Sequence, residues 1–341
     1  MTGPIRVGVV GVGHLGSQHA RLYSEIAKRS NGQYEFVGIF DSDTIRARAV
    51  TEKHGGGTFA SVEELCNFAD AVSIATPTET HHAVASLFLA RGKHALVEKP
   101  ITDDVREAAE LVALARQHQC VLQVGHVERF NPVMRYLSDV LEEARFIEVH
   151  RLSPYSGRST DIGVVLDLMI HDLDVVLSLV KAPLTGVDAV GIPVLSACED
   201  IANARLKFAD DCVANLTASR VSPERMRKIR IFGRTGHGTA YISLDYMKQQ
   251  GELYRVAADD EEESSTLQKL LAGRHANIVS EFGGKKIVRE PVPIEQDEPL
   301  KLELQHFLDS IAQRHDPLVT GEAGKQALEI AMEITEQVRR A

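Results

Sequence analysis

The stretch Ile5-Arg-Val-Gly-Val-Val-Gly11-Val-Gly13-His14-Leu15-Gly16 constrains the fold more than any other part of the chain. An apolar run ends in three spaced glycines and passes directly into a helical pattern, which predicts a buried strand, a tight turn and a helix start. Gly11 suits the turn, Gly13 lets backbone N–H groups approach a pyrophosphate, and Gly16 lets the helix pack close to the strand. The helix N-terminus then presents partial positive charge to a phosphate. A glycine turn alone is a weak signal, since many serve only strand-to-helix packing. Here a second apolar strand, Glu35 to Phe40, ends in Asp41, 25 positions beyond Gly16. An acidic residue there accepts hydrogen bonds from an adenosine ribose. Without the glycines, Asp41 would read as an ordinary strand-end turn residue. Asp43 adds a second carboxylate and no arginine follows Asp41 immediately, so the expected cofactor is NAD and not NADP.

A chain of 341 residues can bury a large core and is expected to hold two domains. Its formal net charge of -10 argues against nucleic acid, because phosphate backbones need a basic face. The expected partner is a small molecule. No apolar run reaches membrane-spanning length and the start of the chain leads straight into the first strand, so neither a membrane nor secretion is expected and the expected compartment is the cytoplasm. Cys66, Cys120, Cys198 and Cys212 lack CxxC spacing, which predicts buried free thiols instead of a disulfide framework or zinc ribbon.

Ala71–Ala75, His94–Val97 and Val121–Val124 read as strands, alternating with helices over Ala83–Arg91 and Val105–His118. This βαβ series predicts an N-terminal α/β Rossmann domain with a doubly wound parallel sheet over residues 1–124. Period-two alternation then takes over, in Phe146–His150, Ile201–Phe208, Cys212–Ser219 and Lys228–Phe232. It predicts an α/β domain with an open, largely antiparallel sheet over 125–297. Helical patterns from about Leu300 to Arg314 and from Gly324 to Arg339 make 298–341 a closing helical segment. The acidic run Asp259–Ser265 reads as a solvated loop. If the outer face of the second sheet is apolar it needs cover, which predicts a homodimer or homotetramer.

Three more segments join the glycine turn in a fixed order: Thr76-Pro77-Thr78 with His81, Glu98-Lys99-Pro100, and Asp167-Leu-Met-Ile-His171-Asp-Leu-Asp174. Together they resemble the Gfo/Idh/MocA family of nicotinamide-dependent sugar and cyclitol oxidoreductases, and the resemblance spans nearly the whole chain. It implies that Gly11, Gly13, His14, Leu15, Gly16, Asp41, Thr76, Pro77, Thr78, His81, Glu98 and Lys99 form the dinucleotide site. It also implies that Lys99 and His171 serve catalysis with Asp167, which binds a substrate hydroxyl. A lysine cation can stabilise a developing oxyanion, and a histidine can take a proton near neutral pH. Which of the two takes it is open. In a helix Asp167 and His171, four apart, would share one face with Asp174. The Asp/His pair has no well-spaced third ligand and hydride transfer needs no metal, so none is expected.

Within the family, Gly125–Pro132 and Pro154–Asp167 resemble the branch that oxidises the 3-hydroxyl of UDP-N-acetylglucosamine or its uronate. That resemblance adds Arg129, Asn131 and Arg158 as donors to a nucleotide-linked sugar, the arginines suiting a diphosphate. Either arginine could instead pair with a neighbouring acid such as Glu128 or Asp161. A free-sugar or inositol dehydrogenase, a glycosidase with retained NAD, and a non-catalytic dinucleotide sensor remain alternatives.

Overall fold

β1 (Ile5–Val10) is buried on both faces, as befits a central strand of a covered parallel sheet. The computed structural model describes residues 3–155, 157, 162–257, 277–282 and 284–340. Arg158, Asp161 and the acidic run 259–265 lie outside the described residues. The chain forms two compact units, one of residues 1–130 with 298–329 and the other of 131–297 with 330–341.

In the first unit β1 is joined by β2 (Tyr34–Phe40), β3 (Gly57–Thr58), β4 (Ala71–Ile74), β5 (His94–Glu98) and β6 (Leu122–Gly125). All pairings are parallel, in the order β3-β2-β1-β4-β5-β6. This is the doubly wound order, and its switch point lies between β1 and β4, where a crevice opens beyond the strand ends. The connecting helices are α1 (His14–Arg29), α2 (Thr44–His54), α3 (Val62–Phe68), α4 (His81–Leu89) and α5 (Val105–Gln117). The glycine turn is sterically obligatory. Gly11 adopts φ +80°, and a Cβ on Gly16 would lie 1.9 Å from the Gly11 carbonyl oxygen.

The second unit begins with α6 (Pro132–Val140), β7 (Leu141–Leu152) and α7 (Ile170–Leu179), followed by β8 (Leu184–Ile192), β9 (Ile201–Phe208), β10 (Val213–Ser219) and β11 (Met226–Thr235). β12 (Gly238–Asp245), β13 (Gln250–Val256), β14 (Asn277–Phe282) and β15 (Lys285–Pro291) complete the sheet among the described residues. The order is β14-β15-β13-β12-β11-β7-β10-β9-β8, antiparallel throughout except for β7 beside β10. The period-two residues divide between faces as expected. Ile147, Val149, Leu216, Ile229, Ile231, Ile242 and Leu244 are buried. The other face carries a ladder of rings, Phe146, Phe232, Tyr241 and Tyr254, with successive centroids 6.0, 4.7 and 5.5 Å apart.

The last helices, α8 (Pro299–Gln313) and α9 (Gly321–Arg340), do not stand apart as a segment of their own. Leu304, Phe307, Leu308 and Ile311 of α8, at helical spacing, enter the same core as Ile5, Val7, Leu22 and Ile26. The first unit also runs past residue 124. The 3-10 turn Val127–Phe130 stays with it because the Phe130 ring packs on His306, centroids 5.3 Å apart. α9 changes units midway, and beyond that point Gln337 exchanges hydrogen bonds with the β8 backbone, accepting from Ala189 and donating to Val187.

Candidate active site

At the switch point a cavity of about 580 Å³ is lined by Gly11, Gly13, Asp41, Arg46, Thr76 and Thr80, among others. A larger cleft of about 1100 Å³ lies beside His94 and Val121, at the other end of β5 and β6. Ligands of open parallel sheets bind beyond the carboxyl ends of the strands, so the smaller cavity is the candidate dinucleotide site. α1 opens on it with no side-chain cap and no acid in its first turn. Its first N–H groups therefore face the cavity without a competing side chain, as an anion would require.

Asp41 ends β2 nearly buried. One carboxylate oxygen accepts the Val12 N–H at 2.7 Å and the other accepts the Asp43 N–H at 2.8 Å. Each oxygen keeps a second lone pair for a further donor. Arg46, in the first turn of α2, reaches back to within 3.6 Å of Asp41 and 3.1 Å of Asp43. The sequence places this arginine five residues downstream of Asp41, and the Asp43-capped helix start folds it back.

Across the crevice, Thr76 and Pro77 line the cavity, and Thr80 donates to the Thr76 hydroxyl at 2.7 Å. Thr78 opens the short 3-10 turn that follows. His81 is buried behind these residues. Its ring nitrogens lie 3.0 Å from the Thr76 carbonyl and 2.9 Å from the Pro100 carbonyl, so it ties the Thr-Pro-Thr turn to the Glu-Lys-Pro turn. In this position His81 braces the two turns that border the crevice. Glu98 ends β5 buried, Lys99 follows half-buried, and the Lys99–Pro100 peptide is cis.

In the second unit a π-helical turn, Val165–Met169, leads into α7. Asp167 therefore sits on i→i+5 geometry while His171 sits on an α-helix, so the simple four-residue spacing expected for one α-helix does not hold. π-turns recur at functional sites. Two buried ion pairs hold this region. Arg151 of β7 grips Asp172 of α7 through two 2.8 Å hydrogen bonds. Arg220 donates to Asp200 at 2.7 Å and to the Ile162 carbonyl at 2.8 Å, just ahead of the π-turn. Burial opposes charge on Asp200, but Arg220 and the N–H groups of Leu195, Ser196 and Val194 outweigh it and hold its carboxyl well below the usual range.

Asn131 caps α6. Its side-chain oxygen accepts the Val133 N–H at the start of α6, and its amide donates to the Tyr246 carbonyl at 3.1 Å. The Asn-Pro dipeptide is itself a sequence sign of this role, a cap followed by proline at the first helical position. Asn131→Ala is expected to lower stability by about 1–2 kcal/mol in urea melts and leave the sugar KM unchanged, whereas a substrate ligand would raise KM. Arg129 donates to the Leu318 carbonyl at 3.3 Å.

Residues 5–126 match the Gfo/Idh/MocA oxidoreductase family in its NAD-binding Rossmann fold, and residues 141–238 match the C-terminal domain of the same family. The chain belongs to the Gfo/Idh/MocA oxidoreductase family. The UDP-N-acetylglucosamine 3-dehydrogenase of Acidithiobacillus ferrooxidans is 36% identical over 331 residues, spanning 97% of this chain and 96% of that protein. A solved structure of that enzyme, GnnA, has a TM-score of 0.86 at 35% identity and covers 98% and 97% of the two chains. An inositol 2-dehydrogenase of Corynebacterium glutamicum is 30% identical across 52% of this chain and 54% of its own length. The scyllo-inositol 2-dehydrogenase (NAD(+)) of Bacillus subtilis is 24% identical across 98% and 94%.

The residues of this Gfo/Idh/MocA member fit the family's dinucleotide. The uncapped α1 start suits a pyrophosphate, and open space surrounds the position a Cβ on Gly13 would take. Asp41 is pre-oriented by two backbone donors. Among the described residues no group of three or more His, Cys, Asp or Glu side chains is disposed to hold a metal ion. No helix there is long and apolar enough to cross a membrane. Cys66 and Cys212 are buried and Cys120 and Cys198 half-buried, all as free thiols. Burial pushes the thiols of Cys120 and Cys212 up to about 11.

Proposed function

We propose that this NAD-dependent oxidoreductase oxidises C3 of a UDP-linked N-acetylated hexose to a ketone. The observation that carries the reading is full-length likeness. The UDP-N-acetylglucosamine 3-dehydrogenase is matched across 97% of this chain, whereas the 30%-identical inositol 2-dehydrogenase is matched across only 52%. A free cyclitol is the second reading, favoured by the full-length likeness to the scyllo-inositol enzyme at lower identity.

In this reading the α1 N-terminus binds the pyrophosphate and Asp41 binds the adenosine ribose. The dinucleotide held there would supply the acceptor for the hydride of the carbinol carbon. As that C–H bond breaks, the hydroxyl proton must leave to a base while its electron pair forms the C=O bond. Lys99 as a cation stabilises the oxygen that carries this charge, and His171 takes the proton, or the two exchange roles. Asp167 orients a substrate hydroxyl. Arg129 and Arg158 bind the diphosphate in this reading.

A panel of UDP-hexoses, free hexoses and inositols, followed by NADH absorbance and by single turnover, tests the substrate class. UDP alone should compete with substrate, because the diphosphate contributes binding remote from the reacting carbon. Arg158→Ala should raise KM for the sugar nucleotide about tenfold to a hundredfold, the scale of one lost charge-assisted hydrogen bond. Turnover of myo-inositol with no response to UDP-sugars would overturn the sugar-nucleotide reading.

The half-exposed Phe232 within the aromatic ladder, together with exposed Val190 and Ile192, supports self-association as a homodimer or homotetramer through the outer sheet face. We place the protein in the cytoplasm, where an NAD-dependent activity finds its dinucleotide recycled.

A further inference from the structure

Behind the Glu-Lys-Pro turn lies a polar inclusion in an otherwise apolar core. His19 and Ser73 are wholly inaccessible and Glu98 is 7% exposed. His19 projects inward from α1 and spans two strands. Its Nδ1 lies 2.7 Å from the Ser73 hydroxyl on β4, and its Nε2 lies 3.1 Å from Oε1 of Glu98 on β5. The second contact is bent away from good hydrogen-bond geometry, so it acts through close packing against the carboxylate. The other carboxylate oxygen of Glu98 lies 3.4 Å from the Lys99 N–H. The opposite wall is Gly125, where any Cβ would sit 2.8 Å from the Glu98 carboxylate. Tyr23 meets the His19 ring edge-on, and its buried phenol is held neutral by burial.

Such an inclusion is a costly way to fill a core. A buried carboxylate loses several kcal/mol of hydration that its partners must offset, and apolar side chains of similar volume would pack here without that penalty. What the arrangement does provide is a fixed rotamer for Glu98, clamped between an imidazole and a glycine, with its other oxygen accepting from the backbone N–H of the next residue. That residue is Lys99.

We infer that His19 is a positioning residue for Lys99, acting through Glu98: it holds the carboxylate against Gly125 and thereby fixes the backbone from which the lysine projects. The inference rests on the reading of Lys99 as the oxyanion-stabilising or proton-transferring group. It assigns no new contact with cofactor or substrate to His19, which lies too deep for one.

The test compares wild type, His19→Leu and His19→Gln, since glutamine can still bridge the Ser73 hydroxyl and the Glu98 carboxylate. The first readout needs no turnover: the rate at which Lys99 reacts with an amine-directed reagent between about pH 6 and pH 10, followed by peptide mass spectrometry with the surface lysines as internal controls. His19→Leu should change the Lys99 rate several-fold and leave the controls unchanged, and His19→Gln should restore it. The second readout is turnover of whichever panel sugar the wild type oxidises. His19→Leu should lower kcat about tenfold to a hundredfold, the scale of a displaced reacting group, with KM and NADH affinity nearly unchanged. In the Lys99→Ala background it should cost nothing further, because it acts only through that side chain.

Unchanged Lys99 labelling, or a kcat loss that adds in full to that of Lys99→Ala, would overturn the inference. If Lys99→Ala itself keeps wild-type turnover, the catalytic reading of Lys99 fails instead, and the labelling result still decides whether His19 positions it. Should His19→Leu not fold, Glu98→Gln, which keeps the shape and removes the charge, is expected to reproduce both shifts.

Discussion

Replacing Lys99 with alanine is expected to lower kcat about a hundredfold or more while NADH affinity, followed by its fluorescence, survives. The lysine follows the last residue of β5, and β5 ends beyond the switch point where the crevice opens. A cation there acts on charge that exists only as the hydride departs, so its loss falls on kcat more than on binding. Lys99→Arg separates the two chemical roles. A guanidinium keeps the positive charge but cannot serve as a base at ordinary pH, so substantial activity would assign the proton to His171. An arginine variant as impaired as alanine, with an intact NADH site, would assign the proton to Lys99. His171→Ala is expected to show a loss of the same order. A variant near wild-type turnover would remove its residue from the mechanism.

The parts of this site that can be read from the sequence are those where one residue type has a single geometric solution. Gly11 and Gly16 are such positions, because the turn admits no side chain at either. Apolar alternation placed Ile201–Phe208 on a strand with the boundaries the structure shows, since a two-residue period survives any change of neighbour. What escaped the sequence depends on contacts distant along the chain. Nothing local marks Arg151 as the partner of Asp172, or Arg220 as that of Asp200, because the packing of α7 on β7 brings the first pair together and the register of β9 with β10 the second. The π-turn at Val165–Met169 has no periodicity of its own to detect in five residues. Helix α8 illustrates the same limit. Its apolar stripe is plain, but which core it enters is decided by Ile5, Leu22 and Ile26 nearly three hundred residues earlier.

Arg46, only five residues beyond Asp41, shows that a local contact can also change a functional expectation, and it sets the second large effect. Discrimination against NADP was expected because no arginine immediately follows Asp41, yet a guanidinium does lie beside it, bound to the carboxylates of Asp41 and Asp43. In the proposed reading, selectivity for NAD rests on those carboxylates occupying the cation and repelling a 2′-phosphate. Asp41→Ala removes one of them, together with the acceptors for the ribose hydroxyls and for the Val12 N–H. NAD should bind about tenfold to a hundredfold more weakly, as charge-assisted hydrogen bonds of this kind imply. NADP should gain, since Arg46 becomes available to the 2′-phosphate and the nearest like charge is gone. The ratio of the two affinities should therefore move by about a hundredfold or more in fluorescence titrations with NADH and NADPH. Adding Arg46→Ala to Asp41→Ala should abolish the gain for NADPH and leave NADH affinity where the single variant put it. If Asp41→Ala weakens both dinucleotides equally, the carboxylate supports only the glycine turn through Val12, and selectivity lies elsewhere in the crevice.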